Sequence, residues 1–442
     1  MNLLQGFNGI RAIAILMVML HHLFLRMNPA EINGVSSFIN NLGIMGDLGV
    51  SLFFVLSGAL LSVPFWDKYF NNEVLPSIKQ YCKRRFFRIA PAYYLCMIVS
   101  LLISIYFFNR DLDVNTVIRF ISGITFTNSM HYLTLFPTHI NGPLWSIGFE
   151  VISYLLLLLV MLFMFRFIKD RQYTSAFYFM LLVLSMVVLT HVLIVKFFPV
   201  LNNGVAWNDE FVNLALRWVP KYNPISLFSI FLFGIFAGGI IAYLKKHDQK
   251  KHIKFDWLIV ITLSLTIVPI LLMNLYVVIL DRPFIFGSQD VFFNIPYLWP
   301  IIPAVVAVLL LSLPFSLKLG KFIDNKFFNF TAKISFGLYL WHTLVLELII
   351  KYYFPQYSVF EGDNMSTLMW LGFWVFLGSY IVASLSFYLL ESPIQQWSQK
   401  TKLARGAISS RAVPREQSIE QSIGDKLLEN DFKQTFILKP NK

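Results

Sequence analysis

Apolar runs about twenty residues long recur along the whole chain, and a run of that length is what a hydrocarbon core about 30 Å thick demands of a helix. The runs fall at residues 8–26, 46–65, 89–108, 144–165, 174–197, 224–244, 256–276, 297–315, 333–351 and 367–390. A water-soluble fold could not hide that much apolar surface, because 57% of the residues are hydrophobic and only 14% charged, whereas an ordinary soluble domain carries roughly a quarter charged residues. The expected fold class is all-α: a polytopic membrane protein with about ten transmembrane helices.

An even number of spans puts both termini on one side, and the asymmetry of Lys and Arg between alternate loops selects that side. One set of loops holds eighteen basic residues, from Lys68 to Lys333, and the other holds eight, from Arg26 to Lys351. Both termini are therefore expected in the cytoplasm. The same clustering explains the net charge of +12 without nucleic acid as a partner. Lacking a basic cluster before Arg11 and an Ala-x-Ala-like cleavage site, the first run reads as a retained helix and not a secretory signal. Cys82 and Cys96 sit in and just after a basic loop placed in the cytoplasm, where a disulfide framework is not expected.

Beyond Trp397 the composition turns polar, so residues 1–397 read as a transmembrane domain and 398–442 as a weakly ordered cytoplasmic tail. The outer loops 109–143 and 198–223 are long enough to be functional or partly re-entrant. No internal repeat is evident, which counts against the inverted-repeat transporter plan.

Ionisable residues inside a spanning helix cost several kcal/mol and mark functional positions by default. Arg11 and His22 stand eleven residues apart, about 16 Å along a helix and on one face, while His21 points about 80° away. A buried His satisfied by a carbonyl is an equally open reading. In the second helix, Gly49, Ser57 and Gly58 suit close helix contact more readily than catalysis. Arg84, Arg85 and Arg88 form a basic entrance to the third helix, where guanidinium forks suit phosphate oxygens, although positive-inside anchoring alone would account for them.

The fourth span opens at Trp145, and Ser146, Glu150 and Ser153 follow at i, i+4 and i+7 beside Tyr154, giving a polar face on an apolar helix. A lone carboxylate there needs a partner or a proton, and Arg11 or His22 is available. Ser335, Tyr339 and His342 repeat the spacing in the ninth span, where His342 can equally be an interfacial residue beside Trp341. Glu391, at the end of the last helix, is available to neutralise the basic loop.

Taken together, these pieces resemble the acyltransferase 3 family of membrane acyltransferases, from Gly9 to about Trp397. The opening Gly-Ile-Arg with Arg11 ten residues before His22 looks like its first-helix signature. Arg84, Arg85 and Arg88 with Ile89, Pro91 and Tyr93 match its basic element, and Trp145, Ser146 and Glu150 match its Trp-Ser-x-x-x-Glu element. Tyr339 to His342 and Glu391-Ser392-Pro393 fit the closing elements. The chain departs at Ser51 and Val151, where the family often carries acids.

The resemblance implies an inner or plasma membrane O-acyltransferase. It would move an acyl group, acetyl in the simplest case, from cytoplasmic acetyl-CoA or another acyl-CoA to a hydroxyl of a surface polysaccharide or its lipid-linked precursor. Membrane lipid surrounds it, and no metal is implied. By the same resemblance His22 is the expected general base, Arg11 stabilises the oxyanion or orients a carboxylate, and Glu150 orients His22. Arg84, Arg85 and Arg88 would hold the phosphates of coenzyme A, with Ser57, Trp145, Ser146, Tyr339 and His342 contacting substrate or supporting the site. Direct transfer and an acyl-His intermediate are both open. The rival expectation is a proton-coupled secondary transporter or glycan exporter in which Arg11, His22 and Glu150 form the relay.

Overall fold

The computed structural model describes residues 5–28, 31–201, 215, 216, 218–247, 249–280, 292–357 and 364–398. Most of loop 198–223, including Trp207, and tail residues 399–442 lie outside the described residues.

Every regular element described is helical. In chain order they are α1 (Phe7–Phe24), α2 (Gly34–Ile44), α3 (Leu48–Phe70), α4 (Ile78–Phe108), α5 (Val114–Ile124), α6 (Trp145–Phe167), α7 (Tyr173–Leu201), α8 (Pro224–Lys246), α9 (Ile253–Ile279), α10 (Ile301–Ser312), α11 (Leu319–Ile323), α12 (Lys326–Tyr353) and α13 (Met365–Ser386). Nine stretches of the described residues are long and apolar enough to cross a membrane. The all-α multi-pass architecture is thus established, with one expected span altered.

That span is 297–315. It contains a helix of only 12 residues, α10, about 18 Å long where about 30 Å would be needed. Pro296 and Pro300 each remove a backbone donor, and Phe293, Asn294, Tyr297 and Leu298 adopt positive φ, so residues 292–300 turn instead of continuing a helix. Apolar composition alone does not reveal this.

Two departures bear on the site. α4 starts at Ile78, eleven residues before the expected span, so Arg84, Arg85 and Arg88 sit on a helix of 31 residues and not in a loop. The outer connector 109–143 folds into the bundle: Leu135, Phe136, Ile140 and Asn141 are all buried. Asn141 fastens it there. Its amide donates to the Leu340 carbonyl at 2.9 Å, and its carbonyl oxygen accepts from Thr343 at 2.6 Å, so the connector braces the middle of α12.

The start of α1 is held from α11's end. The Asp324 carboxylate accepts from the backbone N–H groups of Gly6 at 2.6 Å and Gly9 at 3.0 Å, satisfying donors that a helix start leaves orphaned. This fixes the first turn, and with it the position of Arg11.

Candidate active site

α1 and α12 present matching polar stripes. On α1, Arg11 and His22 both face α12, as their spacing requires, while His21 turns toward α2 and bonds the Ile44 carbonyl at 2.6 Å. On α12, Ser335 and Tyr339 stand beside the cavity that Arg11 lines, and His342 stands three residues further along beside His22.

The cavity is closed by α3, α4 and α6. Ser57 and Phe53 come from α3, Arg88 from α4, and Ser146, Glu150 and Tyr154 from α6. The Glu150 carboxylate accepts a hydrogen bond from Tyr154 and one from Ser57 at 3.3 Å. Ser146 and Tyr339 share a hydroxyl contact at 2.6 Å, and Tyr339 donates to the Pro143 carbonyl at 3.1 Å. Trp145 is buried against Phe149, Trp218 and Tyr222, where it packs the start of α6 and does not line the cavity.

A wider mouth adjoins this chamber at the end of the bundle where α1 begins. Arg11, Arg88, Ser335 and Phe336 line both, and Asn8, Asn329, Lys333, Glu391 and Gln395 complete the mouth. Glu391 ends a π-helical turn, Phe387–Glu391, and accepts from Ser386 at 3.0 Å. Its buried carboxylate lines the mouth. Across chamber and mouth, three cations (Arg11, Arg88, Lys333) meet two carboxylates (Glu150, Glu391). Arg11 and Arg88 are half-buried and Lys333 is exposed at the rim, so the excess positive charge suits an anionic ligand entering from the mouth.

Of the three arginines expected to act together, Arg88 alone lines the chamber. Arg84 is exposed and Arg85 is half-buried with its Nε unpaired. The cause is helical: Arg84 and Arg88 share a face of α4 one turn apart, but only the inner turn reaches the bundle interior.

The histidines form a separate cluster. His342 Nδ1 lies 2.9 and 3.0 Å from the Leu338 and Tyr339 carbonyls. Carbonyls only accept, so this nitrogen carries the proton and Nε2 is left with a lone pair. That Nε2 is 3.3 Å from His22 Nδ1, which also lies 2.9 Å from the Val18 carbonyl. Both neighbours are acceptors, so His22 is protonated on Nδ1 and its Nε2 is the free basic nitrogen. The sequence expectation paired Glu150 with His22. In the structure His22 is held by Val18 and His342, and Glu150 by Tyr154 and Ser57, because Glu150 lies at the level of Arg11, about three turns from His22.

Tyr339 connects the two parts, for it lines the chamber and its ring centroid is 6.1 Å from that of His342, itself 5.0 Å from His22. Asn8, Asn329, Lys333 and Gln395 were not singled out in the sequence. As polar residues at helix ends they carry no signal until the fold gathers them.

Comparison with known proteins places the chain in a family. Residues 4–390 match the family Acyl_transf_3, described as an acyltransferase domain. O-acetyltransferase OatA of Staphylococcus aureus (strain NCTC 8325 / PS 47) is 24% identical over 408 residues, covering 89% of this chain and 57% of the relative. Peptidoglycan O-acetyltransferase OatA of Listeria monocytogenes serovar 1/2a is 22% identical over 400 residues, covering 88% and 55%. The chain thus spans little more than half the length of these curated relatives. No solved structure matches it.

Proposed function

Because the chain belongs to the acyltransferase domain family Acyl_transf_3, we propose that it is a membrane O-acetyltransferase that takes an acetyl group from acetyl-CoA to a hydroxyl of a cell-wall carbohydrate or its lipid-linked precursor. The acceptor class follows the Listeria relative, whose name specifies peptidoglycan. The observation that carries the reading is the chamber and mouth with excess positive charge, joined through Tyr339 to a pair of mutually oriented imidazoles.

In this scheme the mouth holds the phosphates of coenzyme A on Arg11, Arg88 and Lys333, through charge-assisted hydrogen bonds. Arg11 belongs with the donor and not with the oxyanion, because about 16 Å of helix axis separates it from His22, too far for both side chains to bear on one carbonyl carbon. The slender acyl-carrying arm extends inward past Ser57 and Tyr339. His22 Nε2 removes the acceptor hydroxyl's proton as the oxygen attacks the thioester carbonyl, the C–S bond breaks, and the proton passes to the departing thiolate.

The test is transfer of label from radiolabelled acetyl-CoA to extracted cell-wall glycan by purified protein in lipid nanodiscs. Absence of label transfer, with proton-coupled flux intact in sealed vesicles, would replace the enzyme reading with transport. For Arg88→Ala we expect KM for acetyl-CoA to rise about tenfold or more, with a smaller change in kcat, since a charge-assisted bond to phosphate contributes roughly 1.5–3 kcal/mol. An unchanged KM would remove Arg88 from the donor site.

A further inference from the structure

A second cavity shares no lining residue with the first. It opens where α3 and α8 finish and α7 starts, and its walls include Phe70, Arg171, Tyr173, Tyr243, Lys246 and His247. Among the described residues, no carboxylate lines it. Two nearby acids are engaged: Asp67 pairs with Lys245 at 3.1 Å, and Asp170 accepts from Ser175 and from the Gln172 N–H; Asp248, next to His247, lies outside the described residues.

The cations are held in place, Arg171 half-buried and Lys246 and His247 exposed. The Arg171 guanidinium lies over the rings of Tyr69 and Phe165, 4.9 and 4.6 Å from their centroids, yet its Nη1 is buried without a hydrogen-bond partner. Lys246 donates one ammonium proton to the Phe70 carbonyl and keeps two. His247 Nδ1 donates to the Tyr243 carbonyl at 2.9 Å, which leaves Nε2 free. Tyr243 stacks within 4.8 Å of Tyr173 and 4.2 Å of His247, making an aromatic wall. α7 begins in that wall, so the positive end of its dipole adds to the field.

A cation retained only to orient the chain would stand in water. Arg171 Nη1 instead gives up water without gaining an acceptor, a cost that an incoming phosphate oxygen would remove. The cavity lies where three spanning helices end, and at such ends tyrosines and basic residues meet lipid headgroups. On the two helices flanking Arg171 in sequence, Phe163 and Phe167 of α6 and Tyr178 and Leu182 of α7 expose apolar side chains on which acyl chains can lie.

We propose that this cavity binds the phosphate of an anionic phospholipid, with Arg171 and Lys246 as its two cationic ligands and Tyr173 and Tyr243 as its wall. The site is independent of the acyl-transfer reading, since it uses none of the same residues.

Native mass spectrometry of the full chain released from nanodiscs tests it. Phosphatidylglycerol is expected to be retained in preference to phosphatidylcholine, and Arg171→Met with Lys246→Met to weaken retention roughly tenfold or more. Lys245→Met, on the outer side of the same helix end, should leave retention unchanged and serves as the control for folding. Equal retention of the two lipids by wild type, or undiminished phosphatidylglycerol retention by the double variant, would overturn the proposal. Raised thermal stability with inorganic phosphate alone, and no further rise with phosphatidylglycerol, would keep a phosphate site and overturn the lipid as its occupant.

Discussion

Protein carrying His22→Gln is expected to transfer acetyl groups at least about a hundredfold more slowly than wild type, the scale of loss when a positioned general base is removed. Glutamine keeps the length of the side chain and an amide donor for the Val18 carbonyl, so the fold and the donor site should persist. What disappears is the lone pair on Nε2, which the hydrogen bonds of Nδ1 to Val18 and His342 leave available. His342→Gln should cost less and do so differently. It removes the imidazole against His22 Nδ1 while the Val18 carbonyl still holds the tautomer, so the pH profile of kcat/KM should move while KM for acetyl-CoA stays near wild type. Label incorporation in membranes, normalised to protein, reads both. Undiminished incorporation by His22→Gln would eliminate His22 as the base. A loss in His342→Gln with an unmoved pH profile would reduce His342 to packing.

The split between chamber and histidine cluster explains which parts of the site were legible in the sequence. Helical spacing within one segment carries real geometric information, so the facing stripes of Arg11 and His22 on α1 and of Ser335, Tyr339 and His342 on α12 are recovered, as is the divergent direction of His21. The level at which two stripes meet is not encoded locally. Glu150 therefore looks like a partner for His22, yet it sits among Ser57, Tyr154, Arg11 and Arg88. The basic run of α4 likewise reads as three equal ligands until depth along the helix separates Arg88 from the exposed Arg84.

The fold shows the same division. Long apolar runs announce spanning helices because the bilayer sets their length. Breaks by proline and by positive-φ residues, as before α10, depend on tertiary neighbours that hydropathy does not contain. The length of connector 109–143 suggests a functional or partly re-entrant segment but not how it packs, because the groups that brace Asn141 lie on α12.

Substituting alanine at Gly234 is expected to destabilise the bundle by about 3 kcal/mol or more, at the upper end of overpacking effects. A Cβ at Gly234 would run into the Val55 carbonyl, and one at Gly58 into the Phe231 carbonyl. Both obstacles are backbone, so no rotamer change relieves them and α3 must move away from α8. Gly234 and Gly238 are four residues apart, the small-residue spacing that lets membrane helices pack closely, and Trp66 seals the contact by donating to the Ile235 carbonyl at 3.0 Å. Intrinsic propensity predicts the opposite sign, since alanine in a helix is favoured over glycine by about 1 kcal/mol. Thermal unfolding of Gly234→Ala in detergent therefore separates the two effects: a lower midpoint supports the close approach, and a higher one would refute it. The displacement also reaches the chemistry. Ser57 directly precedes Gly58 on α3, so widening the α3–α8 contact shifts the hydroxyl that bonds Glu150 and loosens the chamber. Acetyl transfer should then fall in Gly234→Ala even at temperatures where the protein remains folded, linking a packing residue with no polar atom of its own to the charged cavity one helix away.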